Sequence, residues 1–187
     1  MPPGLHLVND WLSPADAQVL AERIDAADWS DQLKRRVQHY GHRYDYGRRG
    51  VAAGAPAPPL PGWASDLGGR LHAEGHLGEP PDQVIVNEYR PGQGISAHVD
   101  CVPCFGPVVA AVSLLSGCVM EFSEKDGEGR EARRLEPRSL CVMTGPSRFA
   151  WRHAIPARKT DPGPDGAPAR VARGRRISVT LRTVLKT

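Results

Sequence analysis

Residues 84–100 read VIVNEYRPGQGISAHVD, and this stretch decides what kind of domain the chain builds. A run rich in β-branched residues leads into a turn at Pro91, Gly92 and Gly94, and a second short strand ends in His98 and Asp100. Side chains two apart share one face of a strand, so Ile85, Asn87 and Tyr89 point together, as do His98 and Asp100. Polar groups set into an apolar strand need partners, and a histidine beside a carboxylate offers a metal two ligands. The pair alone also fits a structural histidine, so a third ligand and a further pattern are needed from elsewhere in the chain.

Outward from this stretch the C-terminal half keeps the same rhythm. Short apolar runs QVIVNEY, VVAAVSLLS, CVMEFS, SLCVMT, FAWRHAI and RRISVTLRTVL follow one another with turn residues between them. Their succession predicts a double-sheet or barrel-like β half over residues 83–187. Residues 1–82 hold two helices. LSPADAQVLAERIDAADW offers Ser13 as N-cap and Pro14 at the first helical position, and it spaces Leu20, Ile24 and Ala27 for one buried face. PGWASDLGGRLHAEG sets Trp63, Leu67 and Leu71 four apart, although Gly68 and Gly69 weaken that helix. The pattern predicts an α+β fold with both helices outside one sheet. RRVQHYGHRYDYGRRG (35–50) reads as a short strand and loop rather than core, and VAAGAPAPPLPG (51–62) as a mobile linker. Residues 156–175, rich in Pro, Gly, Arg and Asp, read as a long polar surface loop prone to disorder.

A chain of 187 residues makes one domain, 1–187, that can bury a core without disulfides or a structural metal. Its net charge of +3 and pI near 8.8 permit a polyanionic partner without requiring one. No apolar stretch approaches the roughly 20 residues of a membrane helix, and the N-terminus lacks the basic start and apolar run of a signal peptide. A cytoplasmic monomer without membrane association is expected. Cys101, Cys104, Cys118 and Cys141 are scattered among strand-like segments and do not form a disulfide framework, which suits a reducing compartment. CVPC (101–104) is half of a zinc site, outside the helix-start context of a thioredoxin motif, and lies open to oxidation beside Asp100. His6, His39, His42, His72 and His76 belong to no motif and are expected at the surface.

His153, in FAWRHAIP, is the candidate third ligand. Two histidines and a carboxylate on one side of an iron leave the opposite positions open for a cosubstrate and dioxygen. The last strand alternates Ile177, Val179 and Leu181 with Arg176, Ser178, Thr180 and Arg182. An arginine face suits solvent as well as a pocket. Placed after the third ligand, it also suits the distal carboxylate of 2-oxoglutarate, which the planar guanidinium fork holds in a bidentate pair. Asn87 and Tyr89 would then donate hydrogen bonds to the same cosubstrate.

Together NEYRPGQGISAHVD, WRHAI and RRISVTLR resemble the AlkB family of Fe(II)- and 2-oxoglutarate-dependent dioxygenases, whose pattern runs N-x-Y, H-x-D, a distal H and R-x5-R. PGQGISAHVD, LLSGCVMEF and RSLCVMTGPSRFAWRHAI are most similar to the animal branch of that family that modifies transfer RNA. The resemblance covers essentially the whole chain. It implies a double-stranded β-helix (jelly-roll) core with the N-terminal helices packed on one sheet. It also implies metal ligands His98, Asp100 and His153, and cosubstrate contacts from Asn87, Tyr89, Arg176, Ser178 and Arg182, the last close to the metal-bound end. Fe(II), 2-oxoglutarate and O2 are the implied cofactors, and alkylated DNA or RNA the implied partner. Oxidation of an N-linked methyl would release formaldehyde; hydroxylation of a transfer-RNA base or of a protein side chain are the alternatives. HYGHRYDYGRR (39–49) would be a substrate lid, with Tyr40, Tyr44 and Tyr46 stacking on a base and Arg43, Arg48 and Arg49 meeting phosphates. A tyrosine-rich loop packed on its own domain is the other reading of that segment. CVPC has no counterpart in the family.

Overall fold

The strand Gln83–Tyr89 is buried along its whole length, and the rest of the chain is arranged around it. In this computed structural model residues 1–45, 47, 50–51, 57–163 and 169–185 are described. The chain opens with β1 (Leu5–Val8) and α1 (Pro14–Asp25), continues through β2 (Val37–Tyr40), β3 (Tyr44–Asp45) and β4 (Gly50–Val51), and reaches α2 (Gly62–Ala73). Strands β5 (Gln83–Tyr89), β6 (Ile95–His98), β7 (Phe105–Leu114), β8 (Cys118–Glu124), β9 (Arg130–Leu135) and β10 (Leu140–Met143) follow. A short α3 (Gly145–Phe149) precedes β11 (Trp151–Ile155), β12 (Thr160–Pro162), β13 (Arg170–Ala172) and β14 (Arg176–Val184).

Two sheets dominate. The larger runs β1-β10-β7-β14-β5-β2 and the smaller β6-β11-β8-β9, and neighbours in both are antiparallel. Strand alternation gives the larger sheet two different faces. Val84, Val86, Val112, Ile177, Val179 and Leu181 share one hydrophobic cluster with Leu20 and Ile24 of α1 and Leu67 and Leu71 of α2. Full burial of each such side chain contributes about 2 kcal/mol. On the other face Tyr89 and Val109 join Met120, Phe122, Trp151 and Ile155 of the smaller sheet in a second cluster. Arg176, Ser178 and Arg182 alternate with Ile177, Val179 and Leu181, so the polar residues of β14 point into the space between the sheets.

The helices form for local reasons. Ser13 accepts the Asp16 N–H at 3.1 Å and Pro14 opens α1. α2 has no side-chain cap, and its Gly68 lies against Pro81, whose Cδ would stand 2.6 Å from an added Cβ. That glycine, read from the sequence as a weakness, is what lets the helix approach the chain entering β5.

Several expectations need correction. The short strand expected within 35–50 is present, but it belongs to the core: β2 extends the larger sheet, pairing Val37 with Asn87 and Tyr40 with Val84, and Val37, Gln38 and Tyr40 are buried. Tyr40 packs edge-on against Trp63 at 5.7 Å, so it is no lid residue. The polar segment 156–175 contains a hairpin of β12 and β13, fixed by the buried Asp161, which accepts from Arg173 at 2.6 and 2.7 Å and from Arg158 at 2.8 Å. Cys101 and Cys104 form a disulfide across a turn that sets their Cα atoms 5.2 Å apart, while Cys118 and Cys141 are free and buried. His39 is half-buried, and burial followed by the nearby Arg43 and Arg182 pushes its pKa down to about 4. Residues 52–56 of the linker, with Tyr46, Arg48 and Arg49, lie outside the described residues.

Candidate metal and cosubstrate site

Register alone brings the two histidines together. His98 closes β6 and pairs directly across the smaller sheet with His153 of β11, which places their ring centroids 4.3 Å apart. Asp100 follows just beyond the strand, with Oδ1 3.4 Å from His98 Nε2 and 3.8 Å from His153 Nε2. One ligand atom from each of the three lies within 4.8 Å of the others. His98 Nδ1 sits 2.8 Å from the Ser96 carbonyl, which turns Nε2 toward the cluster as second-shell bonds to metal-binding imidazoles do. Two imidazoles and a carboxylate are the donor set of non-haem Fe(II), so the residues present fit that metal.

The electrostatics suit the same use. Burial by itself would raise the Asp100 carboxyl, but Arg182, His98 and His153 outweigh it and hold it far below the usual carboxylate range. Arg182 Nη1 donates to Asp100 Oδ2 at 3.0 Å, which leaves Oδ1 for the histidines. Burial pushes His153 down to about 4, so its imidazole is neutral and able to ligate. For His98 burial acts the same way, yet the Asp100 carboxylate beside it wins and raises its pKa.

Beside this cluster the inner face of β14 and β5 carries the other expected residues. Cross-strand register sets Arg176 opposite Tyr89, Ser178 opposite Asn87 and Arg182 opposite Gln83. Arg176 is only 2% exposed, and its Nη2 donates to Ser113 Oγ at 2.7 Å and Ser178 Oγ at 3.4 Å. Its Nε and Nη1 are buried without a hydrogen-bond partner among the described residues. Arg173, which lines the same small cavity, is already neutralised by Asp161; among the described residues no carboxylate pairs with Arg176. An always-charged guanidinium with two orphaned donors calls for an anion, and a carboxylate accepting both donors is the natural one. Burial raises the Tyr89 pKa, so its phenol keeps the proton and can donate. Asn87 Oδ1 accepts Arg35 Nε at 2.9 Å, leaving the amide nitrogen as the free donor.

Tyr44 packs at 5.9 Å against Phe105, and the Arg182 guanidinium lies 4.0 Å from the centre of the same Phe105 ring, so the β3–β4 hairpin is linked to Asp100 through two side chains. Arg43 is exposed and donates to Gln32 at 3.0 Å. Tyr46 lies outside the described residues. Sequence reading missed Arg35, Ser113 and Arg148. Arg35 was hidden because 35–50 was read as lying outside the core, and Ser113 and Arg148 carry no local pattern that sets them apart.

Residues 4–182 match the model of the 2OG-Fe(II) oxygenase superfamily. The "Alkylated DNA repair protein ALKBH8 homolog" of Arabidopsis thaliana is 35% identical over 97% of this chain, and the mimivirus "Uncharacterized protein L905" 31% identical over 98%. The chain is an AlkB-family 2OG-Fe(II) oxygenase. As an AlkB-family oxygenase it is a 2-oxoglutarate-dependent dioxygenase, whose cofactors are Fe(II), 2-oxoglutarate and O2. It is also 37% identical, over 86% of its length, to the Macaca fascicularis "tRNA (carboxymethyluridine(34)-5-O)-methyltransferase ALKBH8". It spans 58% of the Arabidopsis relative and 25% of the macaque one. The solved structure of OsALKBH1 superposes on this AlkB-family oxygenase with a TM-score of 0.71 over 98% of each chain at 18% identity, a likeness of fold consistent with a jelly-roll oxygenase. No described helix is long and apolar enough to cross a membrane.

Proposed function

We propose that this oxygenase removes N-linked methyl groups from alkylated bases in DNA or RNA. The observation that carries the reaction class is the buried Arg176, with two donors unpartnered among the described residues, on the same face of β14 as Arg182, which donates to Asp100 of the His98, Asp100 and His153 cluster. His98 Nε2, Asp100 Oδ1 and His153 Nε2 would hold Fe(II), and Arg176 with Ser178 and Tyr89 would take the distal carboxylate of 2-oxoglutarate. The Asn87 amide nitrogen, freed by the Arg35 bond to Oδ1, would donate to the same cosubstrate. Together with 2-oxoglutarate and O2, the metal supplies oxidation of a substrate C–H bond. The chain supplies the rest. Arg182 keeps Asp100 ionised and turned, and the buried Tyr89 keeps its donor proton.

Nucleic acid as the substrate is supported by Tyr44 against Phe105 at the edge of the site and by Arg43 beside it, groups able to stack on a base and meet a phosphate. Relatives named for alkylated-DNA repair and, in Caenorhabditis elegans, as "DNA N6-methyl adenine demethylase" point the same way. Hydroxylation of a transfer-RNA base is the second reading, favoured by the macaque and mouse relatives named for carboxymethyluridine(34) of tRNA.

The test is anaerobic loading with Fe(II) and 2-oxoglutarate, then oxygen with a panel of methylated DNA and RNA oligonucleotides and tRNA, scoring succinate and formaldehyde together. Formaldehyde that requires the oligonucleotide and disappears in His98→Ala is the expected result. Succinate without formaldehyde on a tRNA substrate would replace demethylation by hydroxylation. Neither product on any substrate would overturn both readings.

A further inference from the structure

Residues 99–104 cross from β6 to β7 outside any strand, and Asp100 sits on that crossing. A segment without ladder bonds must satisfy its carbonyls elsewhere, and one that carries a metal ligand must also be held still. Its own turn supplies part of the support: Cys104 and Phe105 N–H groups donate to the Cys101 carbonyl, the disulfide closes the same turn, and the Leu185 N–H donates to the Cys104 carbonyl at 2.9 Å.

The larger support comes from a distant element. Arg148 of α3 is only 2% exposed, and its guanidinium donates to four main-chain carbonyls: Asp100 at 2.9 Å and Cys101, Phe105 and Gly106 at 3.3 Å each. None of these acceptors is a carboxylate. Burying a guanidinium is costly, and only its planar fork of five N–H donors spans so many acceptors at once.

We propose that Arg148 is a positioning residue for the metal site: it fixes the main chain of Asp100 while Arg182 fixes the carboxylate, and between them they set Oδ1 toward His98 and His153. This rests on the assignment of those three side chains as the metal ligands. A lysine at 148 reaches fewer of the carbonyls, and a glutamine offers a single amide.

The experiment measures Co(II) affinity and chelator-driven release in wild type, Arg148→Lys, Arg148→Gln, His98→Ala and Leu71→Ala, with thermal melts of each. Leu71→Ala opens a cavity among the helix-side residues of the larger sheet and serves as a destabilised control. Arg148→Gln should weaken Co(II) binding about 10- to 100-fold and alter the visible spectrum of the bound metal, the loss seen when groups orienting a ligand are removed. Arg148→Lys should fall between, and Leu71→Ala should melt earlier while binding Co(II) as wild type does. Wild-type affinity in Arg148→Gln, or in Arg148→Lys should the glutamine variant fail to fold, would overturn the proposal. So would an equal loss of affinity in Leu71→Ala, which would make the effect one of stability. Wild type that binds no Co(II), or His98→Ala that binds it unchanged, would overturn the ligand assignment itself and the role of Arg148 with it.

Discussion

Arg176 is surrounded by hydroxyls and an aromatic ring, with no carboxylate paired to it among the described residues, and that sets its sensitivity to substitution. Arg176→Lys keeps the charge but loses the fork, and one charge-assisted bond of about 1.5–3 kcal/mol should go with it. Calorimetric titration should show 2-oxoglutarate binding weakened roughly 10- to 100-fold with metal affinity unchanged; unchanged cosubstrate affinity would remove Arg176 from that role. At this scale the sequence was informative where strand alternation applies, since it groups Asn87 with Tyr89 and Arg176 with Ser178 and Arg182. It was silent on Arg35 and Arg148. Their importance lies in the acceptors they meet, at 52 residues' separation for Arg35 and 42 to 48 for Arg148, and no local periodicity encodes such distances.

Adjacent glycines in α2 should behave in opposite ways. Gly69 has open space where a Cβ would go, so Gly69→Ala should stabilise by about 0.5–1 kcal/mol through helix propensity. Gly68 faces Pro81, and Gly68→Ala should lower the melting temperature despite the same gain in propensity. Thermal denaturation of the two variants checks both signs at once. The β3–β4 hairpin carries a prediction of its own: Tyr44→Ala should reduce oligonucleotide turnover severalfold while Fe(II) and 2-oxoglutarate binding stay unchanged, and undiminished turnover would take Tyr44 out of the site. Long apolar strands and a capped helix were legible as elements because each repeats a period over many residues. The four-residue β2 was read as a short strand outside the core and the three-residue β12 and β13 as loop, since so few residues cannot establish an alternation and their pairing partners are not marked by any local pattern.

Across the molecule, the buried Glu88 binds elements together. It accepts from Arg36 at two oxygens, 2.7 Å each, and from Arg175 at 2.6 Å, while Arg175 also pairs with Asp25 of α1. The Arg36 bonds hold its pKa at about 2 against the opposing effect of burial, with Arg175 helping. A folded pKa below the ordinary 4.5 contributes stability above that pH and loses it as pH falls toward about 2. Melting temperature should therefore decline over that window, and Glu88→Gln should flatten the decline while costing about 3 kcal/mol at neutral pH. A variant with the wild-type slope would exclude Glu88 as a source of it. The two-faced sheet has one more consequence, visible in a saturation library of β14 scored separately for cellular abundance and for turnover. Variants at Ile177, Val179 and Leu181 should deplete the abundance score, whereas variants at Arg176, Ser178 and Arg182 should persist as inert protein. Tolerance along a single strand would then oscillate residue by residue between two phenotypes, and a map of fitness alone would merge them into one uniformly intolerant segment.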